Sequence, residues 1–206
     1  MRGLFVTGTD TGVGKTVLSA ALMVRYPDAC YWKPIQTGPD DDSAEVRRLS
    51  GGQVLDQGVR LLDPVSPHLA ARWAGTRIDL EVLVGRTSGA TVIVEGAGGV
   101  LVPINESETM ADLMTMLRLP VIVAARTTLG TINHTLLTLE TLRARALRVA
   151  GVVMIGDVTL ANCADNRAAI EHYGNVAVVA EMPRFDPLTP ESLREWAENL
   201  PGDLIA

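Results

Sequence analysis

Aromatic residues are scarce in this chain. Trp, Tyr and Phe make up 4% of its 206 residues, against 47% for hydrophobic residues as a whole. A core with so few rings has to be built from Val, Leu, Ile, Ala and Met, as in layered α/β proteins. Cysteine is scarcer still. Cys30 and Cys163 are the two present; they match no metal-ligand spacing and are too few for a disulfide scaffold. Both read as small buried hydrophobes. A basic excess is missing too. With 18 Lys and Arg against 24 Asp and Glu, and a net charge of −6, the chain lacks the electropositive face that nucleic acid requires. No apolar run nears the ~20 residues that span a bilayer, and no secretory leader pattern opens the sequence. Neither a nucleic-acid nor a membrane partner is expected, and a cytoplasmic location is. No repeat, low-complexity tract or linker divides the chain, so residues 1–206 read as a single domain.

What is there is a regular alternation. Leu4–Val6, Ala29–Lys33, Thr91–Glu95, Val121–Ala125, Val149–Ile155 and Val176–Ala180 are short apolar runs without polar alternation, which suits strands covered on both faces. Between them lie helical stretches at about Gly14–Arg25, Asp40–Leu49, Leu80–Ser88, Thr109–Leu117, Thr131–Ala146, Ala164–Tyr173 and Pro190–Asn199. The first is apolar nearly all round and is expected to be buried. Repeated strand–helix units predict an α/β fold, a doubly wound, mostly parallel sheet flanked by helices.

The first strand runs into Gly8-Thr-Asp-Thr-Gly-Val-Gly-Lys-Thr16, a glycine loop that opens a helix. Five residues separate Gly8 from Gly14, one more than the common P-loop spacing. The flanks nevertheless suit the chemistry. Amides of Gly12, Val13, Gly14, Lys15, Thr16 and Val17 would surround phosphate at the positive end of a helix. Lys15 would reach the β/γ-phosphates, and the Thr16 hydroxyl would sit on Mg²⁺. The architecture is therefore expected to be P-loop nucleoside triphosphate hydrolase-like, with ATP bound. Glu95, followed by Gly96, Ala97 and Gly98, ends an apolar strand and suits a metal carboxylate; capping a turn is its alternative. Asp40-Asp-Asp42 reads by itself as a solvated run or a helix cap. It gains weight by following Lys33-Pro-Ile-Gln-Thr-Gly38, another strand-end loop. Lys15 and Lys33 are the chain's only lysines.

Five segments together resemble the dethiobiotin synthetases: Gly8–Thr16, Lys33–Gly38, Ser66-Pro-His68, Glu95–Gly99 and Gly130-Thr-Ile-Asn-His134, in family order. The resemblance implies ATP- and Mg²⁺-dependent joining of carbon dioxide to 7,8-diaminopelargonic acid, giving dethiobiotin. One amine captures carbon dioxide as a carbamate, which attacks the γ-phosphate to form a carbamic–phosphoric anhydride. The second amine then expels phosphate and closes the ring. Concentrated positive charge, with no protein nucleophile, is what bringing these anions together requires.

By this resemblance Lys33, Lys15 and Thr11 are catalytic, Thr37 lies near the substrate, and Thr16, Asp42 and Glu95 hold the metal. Thr131, Ile132 and Asn133 open a long helix; in the family such a start binds the substrate carboxylate across a homodimer interface. Capping of that helix by Thr131 or Asn133 is the plainer alternative. His68 and His134 have no partner pattern for acid–base chemistry.

Two departures stand out. Gly12 replaces a residue that is often acidic, and Gly156-Asp157 replaces the Asn-Asp pair that reads adenine. Pro183, Arg184 and Phe185 either take over that reading or are plain loop residues. Two rival functions are an ATP-driven switch of the chromosome-partitioning type and a small-molecule kinase. Asp10, standing where the partitioning ATPases carry a second lysine, speaks against the first.

Overall fold

Strands apolar at every position have no face to turn to water, and the computed structural model covers both. It describes residues 2–55, 58–85 and 90–205. In chain order the elements are β1 (Arg2–Gly8), α1 (Lys15–Arg25), β2 (Cys30–Trp32), β3 (Ile35–Thr37), α2 (Asp42–Ser50), β4 (Gln53–Leu55), β5 (Val59–Leu61), α3 (Pro67–Trp73), α4 (Leu80–Val84), β6 (Thr91–Gly99), α5 (Met110–Leu117), β7 (Val121–Arg126), α6 (Thr131–Ala144), β8 (Val149–Gly156), α7 (Cys163–Gly174), β9 (Val178–Pro183) and α8 (Pro190–Ala197).

Among the described residues, seven strands form the main sheet in the order β4-β2-β6-β1-β7-β8-β9. Every neighbouring pair is parallel. Successive side chains alternate between two cores. Phe5, Val92, Val94, Val121, Val123 and Met154 pack with residues of α3, α4, α5, α6 and α7 on one face. Leu4, Val6, Ile93, Ile122 and Val153 pack with α1, α2 and α8 on the other. Burying each such apolar side chain stabilises by about 1.5–3 kcal/mol. The doubly wound fold expected from the sequence is the one observed, with Cys30 and Cys163 free and buried. Among the described residues no helix is long and apolar enough to cross a membrane.

Parallel strands send all their carboxyl ends to one edge, and β1 lies at the centre, where the order turns outward in both directions. Crevices outside the strand ends at such a point are the usual ligand sites of open α/β sheets.

Some elements differ from the sequence reading. A separate parallel pair, β3 with β5, was not anticipated, nor was β4. Each has three residues, too few to show a period. The helix α3 was missed as well, although Pro67 at its first turn is a start signal. β6 runs past Glu95 to Gly99, with a register shift on β1 between Val6 and Gly8. β9 lies further along than expected, because its pairing with β8 continues to Gly156–Pro183. Residues 86–88, in the expected helix Leu80–Ser88, fall outside the described residues.

Candidate active site

Three strand ends bring the charged groups together. β1 delivers the glycine loop, in which Gly12 and Gly14 take positive φ values of 68° and 95°. At Gly14 a side chain would also meet Ile155, 2.9 Å from the Cβ position. The first helical bond of α1 runs from the Leu18 amide to the Gly14 carbonyl at 3.0 Å. The amides of Lys15, Thr16 and Val17 thus precede the helix's own ladder, at its positive end. Lys15 is buried and donates to the Asp10 carbonyl at 3.0 Å. Burial lowers its ammonium to a pKa of about 8 and Lys33 adds to this, against the opposing pull of Glu95, Asp42 and Asp10.

β2 and β6 supply the second cation and its counter-charges. Lys33 follows β2 and sits beside Glu95, which is 1% exposed. The Lys33 ammonium lies 2.8 Å from Glu95 Oε1 and 2.6 Å from Asp42 Oδ2, and also donates to the Gly96 carbonyl at 3.3 Å. Burial works to lower the Lys33 pKa, yet Glu95 and Asp42 outweigh it and hold the ammonium above its ordinary value. The Thr16 hydroxyl donates within 3.0 Å of Asp42 Oδ1 and 3.1 Å of Glu95 Oε1. A hydroxyl and two carboxylate oxygens converging in this way suit a hard cation such as Mg²⁺.

The helix α2 sorts the three aspartates. Asp41 caps it, accepting from the Ala44 amide at 2.9 Å and pairing with Arg60 at 3.0 Å. Asp42, the first helical residue, faces Lys33 and Thr16. Glu95 caps no turn; its partners are Lys33, Thr16 and the buried Tyr31 hydroxyl at 2.9 Å.

Two crevices meet at the glycine loop. One, of about 670 Å³, is lined by Thr11, Lys15, Thr16, Lys33, Thr37, Asp42, Glu95, Ala97 and Gly98. The other, of about 1170 Å³, holds Val13, Gly156, Asp157, Pro183, Arg184 and Phe185. Gly12, Gly14 and Val17 line both. An elongated ligand can therefore lie across the loop with an anionic end near the lysines. Asp157 is engaged locally, accepting from the Thr159 amide at 2.9 Å and its hydroxyl at 2.6 Å.

The start of α6 lines neither crevice. Its N-cap is Gly130, without a side-chain bond, so neither Thr131 nor Asn133 caps it. The Thr131 amide donates to the Thr128 carbonyl at 3.1 Å, outside the helix, because a turn precedes it. Its hydroxyl donates to the Arg126 carbonyl.

Sequence reasoning missed several neighbours. Arg126, at the end of β7, binds the Thr11 carbonyl at 3.0 Å and Asp10 at 3.2 Å, and lines the larger crevice with Thr127. Ser66 Oγ lies 3.0 Å from His68 Nδ1, and Ser66 lines the smaller crevice. Tyr31 carried a signal: it stands two residues before Lys33 in the strand expected at Ala29–Lys33, which puts both on one face.

Known proteins are similar to this chain over most of its length. The family model described as an AAA domain matches residues 2–192. The ATP-dependent dethiobiotin synthetase BioD of Paramagnetospirillum magneticum is 50% identical, over 98% of this chain and 100% of that protein. Its namesake in Nitrobacter hamburgensis is 46% identical, over 93% of this chain and 91% of that one. Among solved structures, the cell division ATPase MinD of Pyrococcus furiosus superposes with a TM-score of 0.59 at 16% identity, covering 98% of this chain and 90% of the other. A ParA family ATPase from Chlorobium tepidum gives 0.59 at 11% identity, over 96% and 90%. These two likenesses concern the fold alone.

Proposed function

The chain belongs to the ATP-dependent dethiobiotin synthetases, within the AAA-domain family, and from that premise we propose how its residues carry out the reaction. The activity is an ATP-dependent ring closure of 7,8-diaminopelargonic acid with carbon dioxide, giving dethiobiotin, ADP and phosphate. One amine adds to carbon dioxide as a carbamate, whose oxygen attacks the γ-phosphorus as ADP leaves. The second amine then attacks the carbonyl carbon of the mixed anhydride, phosphate departs, and the amine's proton is lost as the ring closes.

The observation that carries this reading is Lys33, buried between Asp42 and Glu95 in a crevice continuous with the glycine loop. A carbamate meeting a triphosphate brings two anions into contact, and fixed cations lower the cost of that approach most in the transition state. Lys15 and the loop amides hold the β- and γ-phosphates, Lys33 faces the meeting point, and Thr11 and Thr37 flank it. The base lies in the larger crevice beside Gly156, Pro183, Arg184 and Phe185. Thr16, Asp42 and Glu95 would hold Mg²⁺, which would neutralise phosphate charge.

The same reading takes residues 1–206 as one cytoplasmic domain acting as a homodimer. Supporting the dimer is an apolar surface beside Thr11, where Leu101 and Leu137 are 56% and 59% exposed. A second copy there would bring the start of α6, with Thr131, Ile132 and Asn133, towards the substrate carboxylate.

The test is ATP-dependent fixation of labelled bicarbonate with diaminopelargonic acid as acceptor. Label in dethiobiotin, with one ADP per ring, is the expected result. Phosphoryl transfer without carbonate carbon in the product would overturn the reading in favour of a kinase.

A further inference from the structure

Tyr31 plays no part in the chemistry above, yet its hydroxyl reaches into it. It is the middle residue of β2, fully buried, with its ring in the same apolar core as Leu22, Val46 and Leu49. Sheet register sets it opposite Ile93 of β6. Glu95, two residues on, therefore projects from the same face, and the phenol donates to its Oε2 at 2.9 Å. The carboxylate's oxygens are thus divided. Oε1 receives Lys33 at 2.8 Å and Thr16 at 3.1 Å, while Oε2 receives Tyr31.

That division bears on which cation fits. A carboxylate binds a cation through one oxygen or through both. Ca²⁺, with 6–8 ligands in a flexible shell, readily takes both, whereas Mg²⁺ demands a tight octahedron and takes one. With Oε2 hydrogen-bonded to a donor whose ring is locked in the core, Oε1, which also accepts from Lys33, is the oxygen that faces Thr16.

We propose that Tyr31 is a positioning residue that restricts Glu95 to one-oxygen coordination and so makes this site select Mg²⁺, and the similar Mn²⁺, over Ca²⁺. The inference rests on the metal reading of Thr16, Asp42 and Glu95 given above.

Tyr31→Phe keeps the ring and deletes the donor. The measurement is Mn²⁺ binding by electron paramagnetic resonance in the presence of a non-hydrolysable ATP analogue, with Mg²⁺ and Ca²⁺ as competitors; no turnover is involved. Tyr31→Phe is expected to weaken Mn²⁺ binding and to narrow the preference for Mg²⁺ over Ca²⁺, by ~10-fold, as loss of an outer-shell partner does elsewhere. Glu95→Gln tests the underlying reading, because it should lose most Mn²⁺ affinity. If Glu95→Gln binds Mn²⁺ like the wild type, the metal reading falls and this inference with it. If Glu95→Gln loses Mn²⁺ while Tyr31→Phe keeps wild-type affinity and cation preference, the metal reading stands and the positioning role is overturned. Should Tyr31→Phe not fold, 3-fluorotyrosine in the wild-type protein replaces it. The chain has three tyrosines, assignable by Tyr26→Phe and Tyr173→Phe. The Tyr31 fluorine resonance should move further with Mg²⁺ and the analogue than with Ca²⁺ and the analogue; equal responses overturn the proposal.

Discussion

Lys33 and Glu95 meet at 2.8 Å, 7% and 1% exposed respectively. Burial alone would drive the lysine towards neutrality; Glu95 and Asp42 keep it charged. The sheet thereby holds a permanent cation at a strand end, beside the loop that holds phosphate. Buried pairs of this kind are weak contributors to stability, because desolvation offsets their attraction. A catalytic use explains better why one is maintained here.

Lys33→Gln keeps length and polarity but removes the charge. A group acting between carbamate and γ-phosphate is felt mainly in the transition state. ATP should still bind within about threefold, a change under ~1 kcal/mol, while dethiobiotin formation falls by ~10² or more. Calorimetry with an ATP analogue, paired with labelled-bicarbonate incorporation, checks this. Equal losses in both would assign Lys33 to phosphate binding alone.

Lys15→Ala should lower turnover by ~10² or more through loss of charge at the γ-phosphate. Its pH behaviour is equally specific. The folded pKa, about 8, lies below the ordinary 10.5, so between these values the folded protein binds fewer protons than the unfolded chain. The burial penalty is full below pH 8 and is relieved as pH rises towards 10.5. Lys15→Met should therefore melt higher than the wild type at pH 7 without nucleotide, with the gap closing by pH 10. Phosphate binding should restore the proton near pH 8.5, and calorimetry in buffers of differing ionisation enthalpy will detect the uptake. No uptake would place Lys15 away from phosphate.

Glu95→Gln preserves shape and removes the charge that Mg²⁺ seeks. The Mg²⁺ concentration giving half-maximal activity should rise by ~10-fold or more, with less effect on metal-free nucleotide binding. An unmoved Mg²⁺ titration would reduce Glu95 to a partner of Lys33.

Base selectivity should be loose. Gly156 offers no side-chain amide, and its φ of 150° and the Thr127 hydroxyl, 2.5 Å from the Cβ position, oppose any side chain there. Stacking and backbone contacts discriminate less than hydrogen-bonded readout of a base edge. CTP, GTP and UTP should compete with ATP within about tenfold of one another. A sharp preference for ATP would assign the reading to another group, with the loop at Pro183 the first to mutate.

Sequence and structure divide the account along a physical line. Continuous apolar runs predicted a parallel sheet because a strand buried on both faces needs no polar alternation, and the glycine loop with Lys15 was legible because its requirements are local: positive φ, close approach and free amides. By sequence alone the three aspartates at 40–42 were equivalent, and resemblance favoured Asp42. Tertiary structure divided them, since Asp41 caps α2 and the turn of the helix aims Asp42 at Lys33 and Thr16. The partnership of Glu95 with Tyr31, Lys33 and Thr16 likewise depends on β2 lying beside β6 in a particular register, which no local pattern encodes. Arg126 escaped notice for the same reason: its contact with Asp10 and Thr11 spans more than a hundred residues of chain and exists because β7 lies next to β1. Local conformational demands are written in adjacent residues. The meeting of distant charges is decided by strand order and register, and these emerge only when the whole sheet is assembled.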